Sequence, residues 1–219
     1  MIGLFGGTFN PIHWGHIRTA SELKQVLDIE QMVLVPSGFP PHRDAPSVDP
    51  PTRLAMVEAA VKNQPGLSVD SRELRREGPS YTVDTLDEIR QQYNDAPICL
   101  IVGADAFLQF DTWHRWRRIF DLAHIVVVSR PGWPLADLTD KISKQLQNVV
   151  LPRRIADFQQ LGLHPAGLVL MQKVVELDIS SSQIRAKIAK GESIKELVPE
   201  AVLEIIRENG LYKPNVFEA

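Results

Sequence analysis

Short apolar runs alternate with helical patterns along most of this chain. The strand-like runs are Ile2–Phe5, Met32–Val35, Ile98–Val102, His124–Val128 and Leu168–Leu177. Amphipathic helical patterns lie between most of them, and two more close the chain. This alternation is typical of parallel strands, because each crossover between them needs room for a helix. The sequence therefore predicts an α/β fold, a doubly wound and mostly parallel sheet with helices on both faces.

The length and composition fit one such domain. The chain has 219 residues, of which 44% are hydrophobic, enough for a full core. No repeat, low-complexity tract or clear linker divides it. We therefore expect a single Rossmann-like domain over residues 1–219, with a small helical C-terminal part at 179–219.

The charge balance limits the partners. Lys and Arg number 24 and Asp and Glu 27, a net charge of −3, so no global basic field indicates nucleic acid or an anionic membrane as partner. The single cysteine, Cys99, excludes an internal disulfide and suits a reducing compartment. No secretory segment or membrane-length apolar stretch is present. We expect a cytoplasmic protein, and the oligomeric state, including a homo-oligomer, stays open.

The first strand-like run ends in a glycine turn that leads into a helical pattern. Gly6 and Gly7 let the backbone turn tightly and approach a ligand closely. The first N–H groups of a helix lack intrahelical partners and bind phosphate well. We therefore predict a nucleotide site here, with Thr8 and Phe9 in the same loop.

Two histidines, His13 and His16, stand at that helix start. If the segment is helical there, their spacing puts both on one face. Surface or capping residues are the plainer alternative. A metal pair is another, but no convincing third Asp, Glu or Cys ligand is nearby, so we predict no protein metal site.

A second helix start repeats the phosphate-binding pattern. It reads Ile179-Ser180-Ser181-Ser182-Gln183-Ile184-Arg185. Serines near an N-cap offer hydroxyls and free N–H groups, and Arg185 adds a planar charged group one turn in. An ordinary serine-capped surface helix is the alternative.

The candidate residues follow predicted strands. Four segments do so: Gly6–Gly7, Pro36–Arg43, Gly103–Asp105 and Ser129–Gly132. Because ligands of open parallel sheets bind beyond the carboxyl ends of the strands, we expect these segments to share one site.

Two of these motifs carry a resemblance to a known family. The string G-G-T-F-N-P-I-H-W-G-H resembles the H-x-G-H signature of a nucleotidyltransferase superfamily, and I-S-S-S-Q-I-R resembles its I-S-S-x-x-I-R motif. The spelling of the first string is similar to that of bacterial nicotinate mononucleotide adenylyltransferases, and matches extend from Ile2 to Tyr212. This resemblance implies transfer of the adenylyl group of ATP to nicotinate mononucleotide, a step of NAD biosynthesis, with Mg²⁺ accompanying ATP.

The resemblance also implies roles for residues. His13, His16 and Arg185 would be catalytic. Residues 179–219 would complete the ATP site, whose expected members are Gly6, Gly7, Thr8, Phe9, His13, His16, Gly103, Asp105, Ile179, Ser181, Ser182 and Arg185. The chain has no Walker A loop and no credible nucleophilic triad, which favours catalysis by positioning and charge stabilisation.

The same resemblance places the mononucleotide in three stretches. Trp113 would stack on the pyridine ring, and the backbone of Ser80–Asp84 would recognise its carboxylate, with Asp84 pointing away. Arg43, with His42, is a candidate to clamp the phosphate of the mononucleotide, and a solvated loop arginine is the alternative. For Trp113 the alternative is a buried core residue. The expected members are His42, Arg43, Tyr81, Thr82, Trp113 and Arg130.

Five other functions share some of these motifs. Phosphopantetheine, glycerol-phosphate and nicotinamide mononucleotide nucleotidyltransferases are related alternatives. A class I aminoacyl-tRNA synthetase would need an anticodon domain for which 219 residues leave no room. A non-catalytic nucleotide sensor would not require both histidines and Arg185 at the reacting phosphates.

Overall fold

A seven-stranded parallel sheet forms the centre of the protein. The computed structural model describes residues 1–40 and 46–213. The strands are β1 (Ile2–Gly7), β2 (Gln31–Pro36), β3 (Leu67–Val69), β4 (Ile98–Gly103), β5 (His124–Val128), β6 (Arg154–Ile155) and β7 (Val169–Gln172). Their order is β3-β2-β1-β4-β5-β7-β6, and each neighbouring pair is parallel. The predicted α/β class is confirmed.

Helices cover both faces of the sheet. They are α1 (Trp14–Val26), α2 (Pro50–Val61), α3 (Arg72–Arg75), α4 (Thr82–Tyr93), α5 (Ala104–Phe107), α6 (Trp116–Leu122), α7 (Leu138–Lys141), α8 (Lys144–Val150), α9 (Ser181–Ala189) and α10 (Glu200–Glu208). Short 3-10 segments lie at Phe110–Thr112, Leu151–Arg153 and Phe158–Leu163. None of the helices in the described ranges is long and apolar enough to cross a membrane.

The alternation of side chains along β1 explains the two layers. Phe5 belongs to an apolar cluster that also holds residues of α1, α2, α9 and α10. Its neighbour Leu4 faces a second cluster that holds residues of α4, α6 and α8. Because successive side chains of a strand point to opposite faces, one sheet supplies both cores. The C-terminal helices α9 and α10 thus share a core with α1 and α2.

Local capping signals set the helix starts near the site. The Asp49 carboxylate accepts a hydrogen bond from the Thr52 N–H at 3.0 Å, and prolines occupy the first two positions of α2. Ser180 and Gln183 form a reciprocal capping box at the start of α9. These side chains pair with backbone groups that the first helical turn leaves open.

One predicted strand is shorter in the structure than the sequence indicates. The strand-like run Leu168–Leu177 forms a strand only over Val169–Gln172. Beyond it, the Val174 N–H bonds the Ser129 hydroxyl at 3.3 Å and the Val175 N–H bonds the Glu22 carboxylate at 3.0 Å. Side chains thus replace the ladder partners, and the segment leaves the sheet towards α9.

The sheet brings the predicted site segments to one edge. In the order β3-β2-β1-β4-β5 the chain winds outwards in both directions from β1 and β4. The loops after β1, β2, β4 and β5 all leave at the carboxyl edge. We therefore expect a ligand to bind at the switch between β1 and β4.

Candidate active site

The two histidines lie face to face at the start of α1. His13 is the extended N-cap residue, with φ −149° and ψ 170°, so the helix itself begins at Trp14. The rings are nevertheless stacked, with centroids 3.7 Å apart and an interplanar angle of 29°. A side chain on Gly15 would place its Cβ 3.0 Å from the His13 ring. The small residue between the histidines therefore lets the rings meet.

Burial keeps both imidazoles neutral in the free protein. It lowers the pKa of His13 to about 3, with the charge of Arg130 adding to the effect. The pKa of His16 lies well below its usual value, because of burial first and then of His13 and Arg130. The Nδ1 atoms of both rings are buried and have no hydrogen-bond partner among the described residues. An anionic phosphate beside them would raise both pKa values, since it favours the protonated form.

The glycine pair at the end of β1 leaves room for a ligand. The strand does not break at Gly6 and Gly7 as predicted, because both glycines pair with β2. A Cβ on Gly6 would meet no atom within 4 Å, whereas one on Gly7 would lie 2.9 Å from the Phe9 ring. Phe9 has a φ of 47°, and its side chain is 2% exposed. It packs against His16, with centroids 5.1 Å apart. Phe9 can therefore contact a nucleotide only through its backbone.

The loops after β4 and β5 place a carboxylate and a cation side by side. Asp105 Oδ1 lies 3.6 Å from Arg130 Nε, and it is buried without a hydrogen-bond partner among the described residues. A Cβ on Gly103 would come within 2.5 Å of that oxygen and 2.6 Å of Arg130 Nε. Gly103 thus has to be a glycine for this pair to form.

The described residues hold no group of three or more His, Cys, Asp or Glu side chains that could bind a metal ion. A Mg²⁺ ion fits here as the partner of a triphosphate rather than of a protein cage. Asp105 is the carboxylate whose open oxygen suits such a cation or its water.

The N-terminus of α9 docks onto the histidine loop. The Ser181 hydroxyl donates to the Pro11 carbonyl at 3.0 Å. Arg185 donates from Nη1 to the Asn10 carbonyl at 2.7 Å and from Nη2 to the Ser182 hydroxyl at 3.3 Å. The two predicted motifs therefore form one site. Arg185 has further N–H groups that make neither of these bonds, and they can bind a phosphate.

The predicted ring-binding residues lie at the start of α4 and after α5. Tyr81 is the N-cap of α4 and Thr82 its first residue. The Tyr81 ring lies against His114, with centroids 4.3 Å apart. Asp84 is 39% exposed and approaches Arg115 at 4.0 Å, in keeping with a carboxylate that points away from a ligand.

Trp113 is half-buried against Phe110, with ring centroids 4.9 Å apart. The core tryptophan is Trp116, which is 6% exposed. The open part of Trp113 is therefore available for stacking. His42 and Arg43 lie outside the described residues.

Sequence reasoning missed two residues that hold the site together. Arg53 is 0% exposed and bonds three backbone carbonyls around the loops after β1 and β2. It falls on the stripe with Met56, Val57 and Ala60, so a charged residue at an apolar position was the available signal. Tyr212 donates to Asn10 Oδ1 at 2.7 Å, a contact between residues 202 positions apart.

The family of the chain follows from its motifs and their coverage. The model of the cytidylyltransferase-like family matches residues 4–187, a span that contains both the histidine pair and the α9 motif. The chain belongs to the cytidylyltransferase-like family.

Within this family, the relatives of high identity share one name. The chain is 48% identical to the probable nicotinate-nucleotide adenylyltransferase of Acidithiobacillus ferrooxidans, with 96% of this chain and 94% of the relative covered. Its identity to the protein of the same name from Methylococcus capsulatus is 46%, with 97% and 99% covered. The similarity therefore extends over nearly the whole of each chain.

Solved structures share the fold of this family member at low identity. One is the Plasmodium falciparum nicotinic acid mononucleotide adenylyltransferase complexed with NaAD, with a TM-score of 0.73, 15% identity and 98% of each chain covered. The same protein complexed with APC gives a TM-score of 0.71 at 15% identity, again with 98% of each chain covered. At this identity the likeness shows the fold alone.

Proposed function

We propose that this protein transfers the adenylyl group of ATP to nicotinate mononucleotide, which forms nicotinate adenine dinucleotide and pyrophosphate in NAD biosynthesis. The observation that carries the proposal is the docking of α9 onto the histidine loop, through Ser181 and Arg185. It gathers two neutral imidazoles, a helix N-terminus and an arginine at the carboxyl edge of the sheet. The names of the relatives support the same reaction.

The chemistry needs no covalent intermediate. An oxygen of the mononucleotide phosphate attacks the α-phosphorus of ATP in line. The bond from that phosphorus to the bridging oxygen breaks, and the electron pair leaves with pyrophosphate. The nucleophile is already an anion, so no general base has to remove a proton.

The residues of the chain stabilise the charge that develops. His13 and His16 donate hydrogen bonds to the α-phosphate and bridging oxygens, where groups already in position act best. Arg185 and the N–H groups of Ser181 and Ser182 hold the leaving pyrophosphate. Mg²⁺ bound with ATP would supply further neutralisation of the phosphate oxygens, and Asp105 would hold the ion or its water.

The acceptor lies towards α4 and Trp113. The pyridine ring stacks on the open part of Trp113, while its carboxylate accepts N–H groups from the first turn of α4 near Tyr81 and Thr82. Arg43, with His42, clamps the acceptor phosphate, and Arg130 adds a contact to the nucleotide. We infer that residues 1–219 act as one cytoplasmic domain in which residues 179–219 complete the ATP site.

A pyrophosphate-release assay with several acceptors tests the proposal. The acceptors are nicotinate mononucleotide, nicotinamide mononucleotide and phosphopantetheine, each with saturating ATP. A carboxamide leaves one N–H unpaired in the ring site, at a cost of about 1–3 kcal/mol, and loses the charge-assisted bonds of the acid. We expect kcat/KM to favour the nicotinate form by about 100-fold or more.

Three other outcomes would contradict parts of the proposal. Equal kcat/KM values for acid and amide would overturn the recognition of the carboxylate at α4. Turnover only with phosphopantetheine would move the protein to a related transferase. Binding of ATP without pyrophosphate release with any acceptor would indicate a sensor.

A further inference from the structure

Arg53 is a cation buried among backbone carbonyls. Its side chain is 0% exposed, and it occupies a position of α2 where the neighbouring buried residues are apolar. Nη1 donates to the Thr8 carbonyl at 2.7 Å, Nη2 to the Gly38 carbonyl at 3.1 Å and Nε to the Val48 carbonyl at 3.2 Å. Burying a charge costs several kcal/mol, so an apolar residue would suit this position better if packing were its only role.

The carbonyls that Arg53 binds belong to the two sides of the proposed site. Thr8 follows the glycine pair of β1, where the ATP phosphates are expected. Gly38 lies in the loop after β2, which leans on the start of α4. A Cβ on Gly38 would lie 2.6 Å from the Glu73 carbonyl oxygen and 3.2 Å from Ser80 Oγ, so this loop fits closely against its neighbours.

Ser80 continues the connection to the ring-binding turn. Its hydroxyl accepts the N–H groups of Gly38 at 2.9 Å and Phe39 at 3.1 Å. Its own N–H donates to the Phe39 carbonyl at 2.9 Å. Ser80 directly precedes Tyr81, the N-cap of α4. A continuous set of contacts therefore runs from Thr8 through Arg53, Gly38 and Ser80 to the place proposed for the pyridine carboxylate.

We propose that Arg53 is a positioning residue that sets the separation between the ATP-binding loop of β1 and the ring-binding turn of α4. The inference rests on the proposed function, because an in-line attack requires both substrates at one distance and angle. A displacement of about 1 Å can cost about 100-fold in rate. The planar guanidinium holds carbonyls in set directions, whereas a lysine offers one nitrogen on a flexible stem.

Arg90 provides a matched control at the opposite edge of the sheet. It also uses its guanidinium to bind backbone carbonyls, those of Ala96 at 2.7 Å, Pro165 at 2.8 Å and Leu122 at 3.2 Å from Nε. These residues precede β4, β7 and β5, so Arg90 joins loops of the amino edge, away from the substrates. Replacement by lysine removes the same kind of bonding in both places.

The experiment compares Arg53→Lys with Arg90→Lys in the full chain. Initial rates of pyrophosphate release give kcat and the KM values for ATP and nicotinate mononucleotide, and thermal unfolding gives Tm. We expect Arg53→Lys to lower kcat by about 10-fold or more with each KM changed by less than about threefold. Arg90→Lys should lower Tm by a similar amount while kcat stays within about twofold of wild type.

A third variant, Ser80→Ala, covers the case in which Arg53→Lys does not fold. It removes the acceptor of the Gly38 and Phe39 N–H groups and leaves Arg53 in place, and it should lower kcat in the same way.

The outcomes separate this inference from the proposed function. An active wild type with unchanged kcat in Arg53→Lys, or a kcat loss no larger than that of Arg90→Lys, overturns the inference alone. Unchanged kcat in Ser80→Ala, where Arg53→Lys does not fold, does the same. A wild type that releases no pyrophosphate with any acceptor overturns the proposed function and the inference with it.

Discussion

The two edges of the sheet treat buried histidines in opposite ways. At the carboxyl edge, four buried side-chain atoms have no hydrogen-bond partner among the described residues: His13 Nδ1, His16 Nδ1, Ser37 Oγ and Asp105 Oδ1. At the amino edge, His124 is 0% exposed, and its Nε2 lies 2.8 Å from the His164 carbonyl oxygen. Its Nδ1 accepts the Leu168 N–H at 3.1 Å. The same kind of side chain is therefore satisfied at one edge and left open at the other.

This difference between the two edges indicates where a ligand binds. A buried polar atom without a partner costs about 1–3 kcal/mol. All four such atoms belong to residues that follow β1, β2 and β4, at the edge where we propose that the substrates bind. The amino edge, by contrast, satisfies His124 and Arg90 internally and serves stability. We can test this division by changing one residue at each edge.

The largest expected effect is that of His16→Ala. Removal of a positioned donor to the reacting phosphates should lower kcat by about 10²–10³-fold. The change also removes an unpaired nitrogen, so we expect a smaller stability loss than for a histidine at the amino edge. Pyrophosphate-release rates and thermal unfolding measure the two quantities. Near-normal turnover would show that His16 acts only in packing, and it would contradict the difference between the two edges.

His124→Leu should lower the stability of the protein and leave kcat nearly unchanged. It leaves the Leu168 N–H and the His164 carbonyl without their partner, so the free energy of unfolding should fall by about 1–3 kcal/mol for a buried unpaired group. No substrate is expected near this residue, so kcat should stay within about twofold of wild type. Urea unfolding and initial rates give both values. A large loss of kcat in a well-folded variant would contradict the separation of the two edges.

The pH dependence of stability tests the buried histidines of both edges together. Burial lowers the pKa values of His13, His16 and His124, so the unfolded chain binds protons that the folded chain does not. Their contribution to stability is complete above about pH 6.5 and is lost as the pH falls, by at most about 1.4 kcal/mol per pH unit and histidine. For His13 the loss continues down to about pH 3.

Saturating ATP should distinguish the histidines of the two edges in the pH dependence of the unfolding free energy. Its phosphates favour protonation of His13 and His16 but do not reach His124, so saturating ATP should reduce the pH slope of the unfolding free energy only in part. His124→Leu should lower the slope that remains. A slope that ATP leaves unchanged would mean that the anion does not bind beside the histidines.

Particular residues show how far sequence reasoning reached. It predicted the first strand, the serine-capped start of α9 and the class of the sheet, and the structure confirms these elements. The predicted break of that strand at Gly6 and Gly7 is wrong, because β1 continues through both glycines. The sequence left open whether both histidines lie in the helix, and the structure makes His13 the N-cap. Arg53 and Tyr212 were missed because their role depends on carbonyls and amides that no local pattern reveals.

The local features of this protein can be predicted from its sequence. Helix caps and the alternation of strands and helices depend on groups a few residues apart, so their pattern can be read directly. The strand order depends on the tertiary structure. So do the bond from Arg185 to Asn10, 175 positions apart, and the bond from Arg53 to Thr8, 45 positions apart. The physical reason is that such bonds form only after the sheet has brought distant backbone groups into one buried space, where each must find a partner.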